Sequence, residues 1–247
     1  MSVNLRIQFI KKWIKNYTLS NSEKQFNLVV GVSGGIDSAL VSTLCAETDI
    51  LTHVVSMPIK QNTKQHELSL AHIKWLKSKY TNINSHIIEL DEVFKNFKQI
   101  MKKYDSELAF ANSRSRLRMV TLYQIAQSNN GLVVGTGNKV EDFGIGFYTK
   151  YGDGGVDISP IADCTKTQVW EMGKELGINN EIVEAKPTDG LWDDARNDED
   201  QIGLSYPQIE EAMNNNKSQF YEKYLQIRKP NIHKMKSIPV CIMPKKL

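Results

Sequence analysis

Phe26-Asn27-Leu28-Val29-Val30-Gly31-Val32-Ser33-Gly34-Gly35-Ile36-Asp37-Ser38 is the stretch whose reading decides the fold. Its first half is an apolar, β-branched run, the pattern of a strand buried on both faces. Ser33-Gly34-Gly35 follows as a tight turn with little side-chain bulk. From Ile36 on, the apolar residues Ala39, Leu40, Val41, Leu44 and Cys45 predict a helix packed back on a sheet. Strand, glycine turn and helix start together make a phosphate site. The first N–H groups of the helix have no partner within it, and its dipole favours an anion. The glycines let the backbone approach that anion closely. Asp37 would repel a bare phosphate, so a Mg²⁺ between carboxylate and phosphate is expected. This is not a Walker A loop, since no Lys-Ser or Lys-Thr pair follows the glycines.

The 247 residues fit one large domain or two small ones. An apolar fraction of 40% is enough for a core, and a net charge of +3 is too mild to imply nucleic acid. Cys45, Cys164 and Cys241 are odd in number and form no C-x-x-C pair. With no signal peptide evident, they predict a reducing cytoplasm and no zinc site. The apolar runs are strand-length, so no membrane span is expected.

Outward from the loop, residues 3–18 predict an amphipathic helix with Leu5, Phe9, Ile10, Trp13, Ile14 and Tyr17 on one stripe, packed on the sheet or on a second subunit. Residues 50–57, 86–90 and 131–136 read as further strands, with a helix over 63–80. Such alternation predicts an α/β protein with a doubly wound parallel sheet and flanking helices. Ligands then bind beyond the carboxyl ends of the strands. His53, His66, His72 and His86 lack metal-ligand spacing and read as packing or solvent-facing residues. A long helix over 106–128 carries Arg114, Arg116 and Arg118, either as a solvated face or as forks aimed at a carboxylate or phosphate.

The fourth strand ends in a polar turn that places Thr136 and Glu141 on the side of Asp37. Glu141 is the second carboxylate that a Mg²⁺ on bound phosphates would need, and the same turn also fits a helix N-cap with an acidic first turn. Residues 144–160 hold five glycines, three aromatics, Lys150 and Asp157, an ordered irregular loop of the functional kind. A helix over 165–176 starts with Lys166, a cation opposed to the helix dipole unless an anion is close. Asp189, Asp193, Asp194, Asp198, Glu199 and Asp200 face only Arg196, as a solvated loop or a mobile lid. Helices over about 206–214 and 217–229 precede a basic tail over 230–236, which alone reads as a frayed terminus.

The loop at 33–38 resembles the Ser-Gly-Gly-x-Asp-Ser loop of the N-type ATP pyrophosphatases, with an adenine nucleotide alpha hydrolase-like fold. Gly135-Thr136-Gly137-Asn138-Lys139-Val140-Glu141, the run from Gly146 to Pro160, Lys186-Pro187-Thr188 with Leu191-Trp192, and Asp198-Glu199 ahead of Gly203 and Tyr206 narrow the resemblance to NAD⁺ synthetase. It runs from the leading helix to near the C-terminus. The resemblance implies a ligase that amidates deamido-NAD⁺ with ammonia through an adenylated carboxylate, releasing AMP and pyrophosphate. It implies that Gly31, Val32, Ser33, Gly34, Gly35, Ile36, Asp37 and Ser38, with Thr136, Lys166 and Thr188, contact ATP. Asp37 and Glu141 would hold Mg²⁺, Asp37 and Lys166 would be catalytic, and Arg116, Lys150, Asp157, His233 and Lys234 would contact deamido-NAD⁺. It further implies a single domain over 1–247 without a glutaminase, free ammonia as donor, a homodimer, and no nucleic acid partner. Two departures stand out. Gly137 lies where many relatives carry Asp, and the spacing from Glu141 to Lys150 is one residue longer than in some. A tRNA-base-activating enzyme would need a basic face or a persulfide cysteine pair, and a non-catalytic nucleotide sensor would be expected to lose Asp37 or Glu141.

Overall fold

The apolar run Asn27–Gly31 forms β1, whose three central residues are buried. The computed structural model describes residues 1–20, 25–188, 190 and 197–243. In chain order the elements are α1 (Val3–Ser20), β1, α2 (Ile36–Ala46), β2 (Thr52–Ser56), α3 (Thr63–Lys79), β3 (Ile83–Ile87), α4 (Asp91–Ile100), α5 (Glu107–Ser128) and β4 (Gly131–Val133). A π-helical turn (Val140–Ile145) is followed by α6 (Lys166–Glu175), α7 (Asn180–Val183), α8 (Asp198–Ile202), α9 (Tyr206–Asn214), α10 (Tyr221–Arg228) and α11 (Ile232–Met235).

The four strands pair in the order β3-β2-β1-β4, all parallel. Alternate residues of β1 serve two layers. Leu28 and Val30 pack with α1, α2 and α6, while Val29 packs with Val55 and Val133 against α4 and α5. The expected doubly wound arrangement is therefore the observed one.

Some boundaries differ from expectation. β3 lies at 83–87 instead of 86–90, because its register is set by pairing with Thr52–Ser56 and not by the apolar residues that follow. β4 ends at Val133, and Val134 continues only as a bridge to Ile158. The tail folds into a short 3₁₀ turn and α11 instead of fraying. In α1 the core-facing residues are Ile7, Ile10 and Ile14, whereas Leu5, Phe9 and Trp13 are exposed. The acidic stretch is α8 from Asp198, and Asp189, Asp193, Asp194 and Arg196 lie outside the described residues.

The histidines take packing roles. His72 is buried with Nε2 3.0 Å from Ser42 Oγ, and burial lowers its pKa from 6.5 to about 4. Burial also lowers that of His53, with His86 adding to the effect. For His72 the unfolded chain takes up a proton near pH 6.5 that the folded protein refuses until about pH 4. Stability is thus expected to fall as the pH drops through this window, by up to about 1.4 kcal/mol per unit from this group. Urea unfolding of the wild type and His72→Gln at pH 7 and 5.5 checks this. The variant should lose about 1 kcal/mol less across the interval, and equal losses would exclude His72 as the source.

Candidate active site

The phosphate loop is held from two sides. Ser38 Oγ donates to Gly35 O (2.9 Å), accepts from the Ser33 amide (3.1 Å) and lies 3.1 Å from Ser33 Oγ. From α3, Ser69 Oγ donates to Val32 O (2.8 Å), and just before that helix Gln61 Nε2 donates to Ser33 O (2.8 Å). The loop opens into a cavity of about 750 Å³ at the carboxyl ends of the strands. Every residue from Gly31 to Ser38 lines it, and so do Thr136, Glu141, Lys166, Thr188 and Lys234.

Beside the loop lies a buried charge cluster. Lys166 Nζ donates to Asp37 Oδ2 (2.6 Å) and Glu141 Oε1 (3.0 Å), and the lysine side chain is 1% exposed. The turn after β4 places Glu141. Asn138 Oδ1 accepts from the amides of Val140 and Glu141, while its Nδ2 donates to Asp37 Oδ1 (2.9 Å). α6 places Lys166 at its first residue, behind a capping box of Thr165 and Gln168. Tyr206 OH, from α9, donates to Glu141 Oε1 (2.6 Å) and lies 3.1 Å from Asp198 Oδ2.

Burial alone would lower the Lys166 pKa. Asp37 and Glu141 more than offset this, so the ammonium is held charged above its ordinary range. The pKa of Glu141 is raised, by burial first and by Asp37, against the opposing pull of Lys166 and Tyr206. Asp142 is pushed up to about 8 by burial, then by Glu141, Asp153 and Asp37. Asp153 faces the cavity mouth, yet the protein around it raises its pKa, with bonds from Ser115 and the Thr149 amide acting the other way. Two carboxylates and one ammonium leave the Asp37–Lys166–Glu141 cluster net negative. It would repel a bare triphosphate and accept one that arrives with a cation. Asp37 and Glu141 offer the oxygen ligands that Mg²⁺ takes, and Lys166 bridges them here. Among the described residues no three His, Cys, Asp or Glu side chains form a metal cage, so a Mg²⁺ would complete its shell from phosphate and water.

Arg116, Lys150, Asp157 and His233 do not line this cavity. Arg116 Nε donates to Lys150 O (3.2 Å), and Lys150 Nζ sits 5.4 Å from the centroid of the Tyr151 ring. Asp157 accepts from the Val133 amide (2.8 Å) and from Tyr123 OH (3.1 Å). His233 Nδ1 lies 3.0 Å from Pro230 O. Tyr123 and Tyr151, the contacts of Asp157 and Lys150, line a second cavity of about 520 Å³ beside α5, and none of the four residues lines it. Lys234 is different: its Nζ donates to Tyr148 O (2.8 Å) inside the main cavity. The arginine run divides three ways. Arg114 is buried over the Phe94 ring, Arg118 lines the main cavity with Nε on Met57 O (3.0 Å), and Arg116 is exposed.

Sequence reasoning assigned no role to Asn138, Tyr206 or Asp142. Asn138 was findable from its position three residues before Glu141, the spacing of an N-cap. Tyr206 lies 65 residues from Glu141 and carries no local signal.

A parallel sheet with a glycine loop, an acid and a lysine gathered at its strand ends is the layout of a nucleotide-using α/β enzyme. The sequence model of the family described as NAD synthase matches residues 6–243, and the chain belongs to that family. It is thereby a ligase that forms a carbon–nitrogen bond. It is 37% identical over 209 residues to the NH(3)-dependent NAD(+) synthetase of Finegoldia magna, covering 84% of this chain and 83% of the relative. It is 36% identical over 238 residues to that of Sulfolobus acidocaldarius, covering 94% and 79%. Among solved structures, an NMN synthetase from Francisella tularensis superposes with a TM-score of 0.87 at 29% identity, over 99% of both chains. An NH3-dependent NAD synthetase from Campylobacter jejuni, in complex with nitrate, superposes with a TM-score of 0.78 at 25% identity, over 98% of this chain and 100% of the other.

Proposed function

We propose that this protein amidates the nicotinate carboxylate of deamido-NAD⁺ with free ammonia, using ATP. The observation that carries this reading is the Asp37–Lys166–Glu141 cluster facing the phosphate loop across one cavity. A carboxylate is a poor acyl donor until one oxygen becomes a good leaving group. Its oxygen attacks the α-phosphorus of ATP, the bond to pyrophosphate breaks, and an acyl adenylate forms. Ammonia then attacks the acyl carbon, AMP leaves with the carboxyl oxygen, and the nitrogen gives up a proton. The protein's work is positioning and charge compensation. Backbone amides of the 33–38 loop cradle the departing pyrophosphate. Lys166 offsets charge beside the α-phosphate, and Thr136 and Thr188 contact the nucleotide. Asp37 and Glu141 would hold Mg²⁺, which supplies charge neutralisation on the phosphates when bound.

Arg116, Lys150 and Asp157 are assigned to the part of the dinucleotide that extends toward the second cavity, with His233 and Lys234 closing from the tail. A homodimer is part of the reading, with the exposed Leu5, Phe9 and Trp13 of α1 available for contact. Among the described residues no helix is long and apolar enough to cross a membrane, and we assign the protein to the cytoplasm. A second reading is a mononucleotide substrate. It is favoured by the superposition on an NMN synthetase and by the four dinucleotide residues that lie off the main cavity wall.

The test is AMP and pyrophosphate formation from ATP, Mg²⁺ and ammonium, with deamido-NAD⁺, with nicotinate mononucleotide, or with neither. Turnover with deamido-NAD⁺ at the higher kcat/KM supports the first reading, and preference for the mononucleotide replaces it with the second. Asp37→Asn should lower kcat/KM for ATP by about 10²–10³-fold, the scale for losing one charge-positioning group. A loss under about three-fold would remove Asp37 from the site.

A further inference from the structure

The turn at Val140–Ile145 is π-helical. π turns mark places where a helix accommodates one extra residue, and they gather at functional sites. Here the Glu141 carbonyl accepts from the amides of Gly146 and Phe147. One consequence is the placement of Asp142. Its carboxylate lies against Gly137 so closely that a Cβ there would sit 2.2 Å from Oδ2 and 2.3 Å from Oδ1. Both residues line the main cavity.

The other acids around this part of the cavity have donors. Asp37 has Lys166 and Asn138, Glu141 has Lys166 and Tyr206, and Asp153 has Ser115 and the Thr149 amide. Asp142 has no side-chain hydrogen bond among the described residues. A half-buried carboxylate without a donor is costly unless a ligand supplies one. We propose that Asp142 binds the incoming ammonium ion beside Glu141 and the acyl adenylate; the bound ion releases one proton to solvent, and its nitrogen then attacks the acyl carbon as ammonia. Ammonium brings four donors and a positive charge to an acceptor that has neither. The proposal rests on the reading above, in which ammonia is the nitrogen donor.

The experiment separates the two half-reactions at one fixed pH. Exchange of labelled pyrophosphate into ATP, dependent on deamido-NAD⁺ and run without ammonium, reports the first. Initial rates with ammonium varied report the second. Asp142→Asn should raise KM for ammonium about ten-fold or more, the scale of one hydrogen bond to a charged group, while exchange falls no more than about two-fold. Gly137→Asp in the Asp142→Ala background returns a carboxylate to the same space and should lower KM for ammonium relative to Asp142→Ala alone. Normal exchange with an unchanged KM for ammonium overturns the proposal. So does a rise confined to the KM for deamido-NAD⁺, which would assign Asp142 to the dinucleotide's pyridinium. No exchange in the wild type would sink the functional reading itself, and the role of Asp142 with it.

Discussion

Lys166→Met is expected to lower the rate of amide formation at least about 10³-fold and to destabilise the protein by about 3 kcal/mol near neutral pH. Lys166 is the counter-charge of Asp37 and Glu141, at 2.6 and 3.0 Å, with its own side chain 1% exposed. Methionine keeps the length and the apolar stem but leaves two carboxylates repelling each other. The Glu141 pKa, already raised by burial and by Asp37 in the wild type, then rises further in the folded variant. Lowering the pH protonates Glu141 in the fold first, so the stability gap to the wild type should narrow as the pH falls from 7.5 toward 5.5. Denaturant midpoints at the two pH values check this. A double variant separates structure from chemistry. Glu141→Gln in the Lys166→Met background removes one of the repelling charges, so stability should recover while activity stays lost. Equal stability of wild type and Lys166→Met at both pH values would mean that the cluster carries no net charge coupling.

Much of the fold was legible because periodicity carries it. β1 and β2 are apolar runs, and α3, α5, α6 and α9 fall within a residue or two of the expected bounds. β3 was misplaced for a physical reason. It is an edge strand, half exposed, and its residues Asn84, Ser85 and His86 have no apolar signature. The exposed face of α1 misled in the opposite sense, since a wide apolar stripe does not say which part of it meets the core. At the site, the loop residues, Glu141 and Lys166 were legible because residue type and strand-end position point to phosphate chemistry. Tyr206 and Asn138 act through placement that only the folded chain supplies.

Gly34→Ala should destabilise the protein by about 3 kcal/mol and raise KM for ATP at least about 100-fold, because backbone strain and a backbone clash add at one position. Gly34 has φ +93°, a conformation that costs an L-residue about 1–2 kcal/mol. A Cβ there would also lie 2.2 Å from the Gln65 carbonyl oxygen and 3.1 Å from the Ser69 amide nitrogen. Those are backbone atoms of α3, so no side-chain rotation relieves the contact. The first turns of α3 must move away, and the hydrogen bond from Ser69 Oγ to Val32 O is stretched with them. Since that bond and Gln61 fix the outer edge of the loop, the amides that cradle phosphate lose their common direction. Gly35 provides the contrast. It has φ −89° and its Cβ would meet only Ser33 Oγ, at 3.5 Å. Gly35→Ala should therefore hold stability within about 0.5 kcal/mol of the wild type, whatever it does to phosphate approach. Thermal or urea unfolding of the two variants, with ATP titrations alongside, tests the difference. If Gly34→Ala proves as stable as Gly35→Ala, then α3 is not packed against the loop as described. The glycine at 34 would then serve only close approach of the nucleotide.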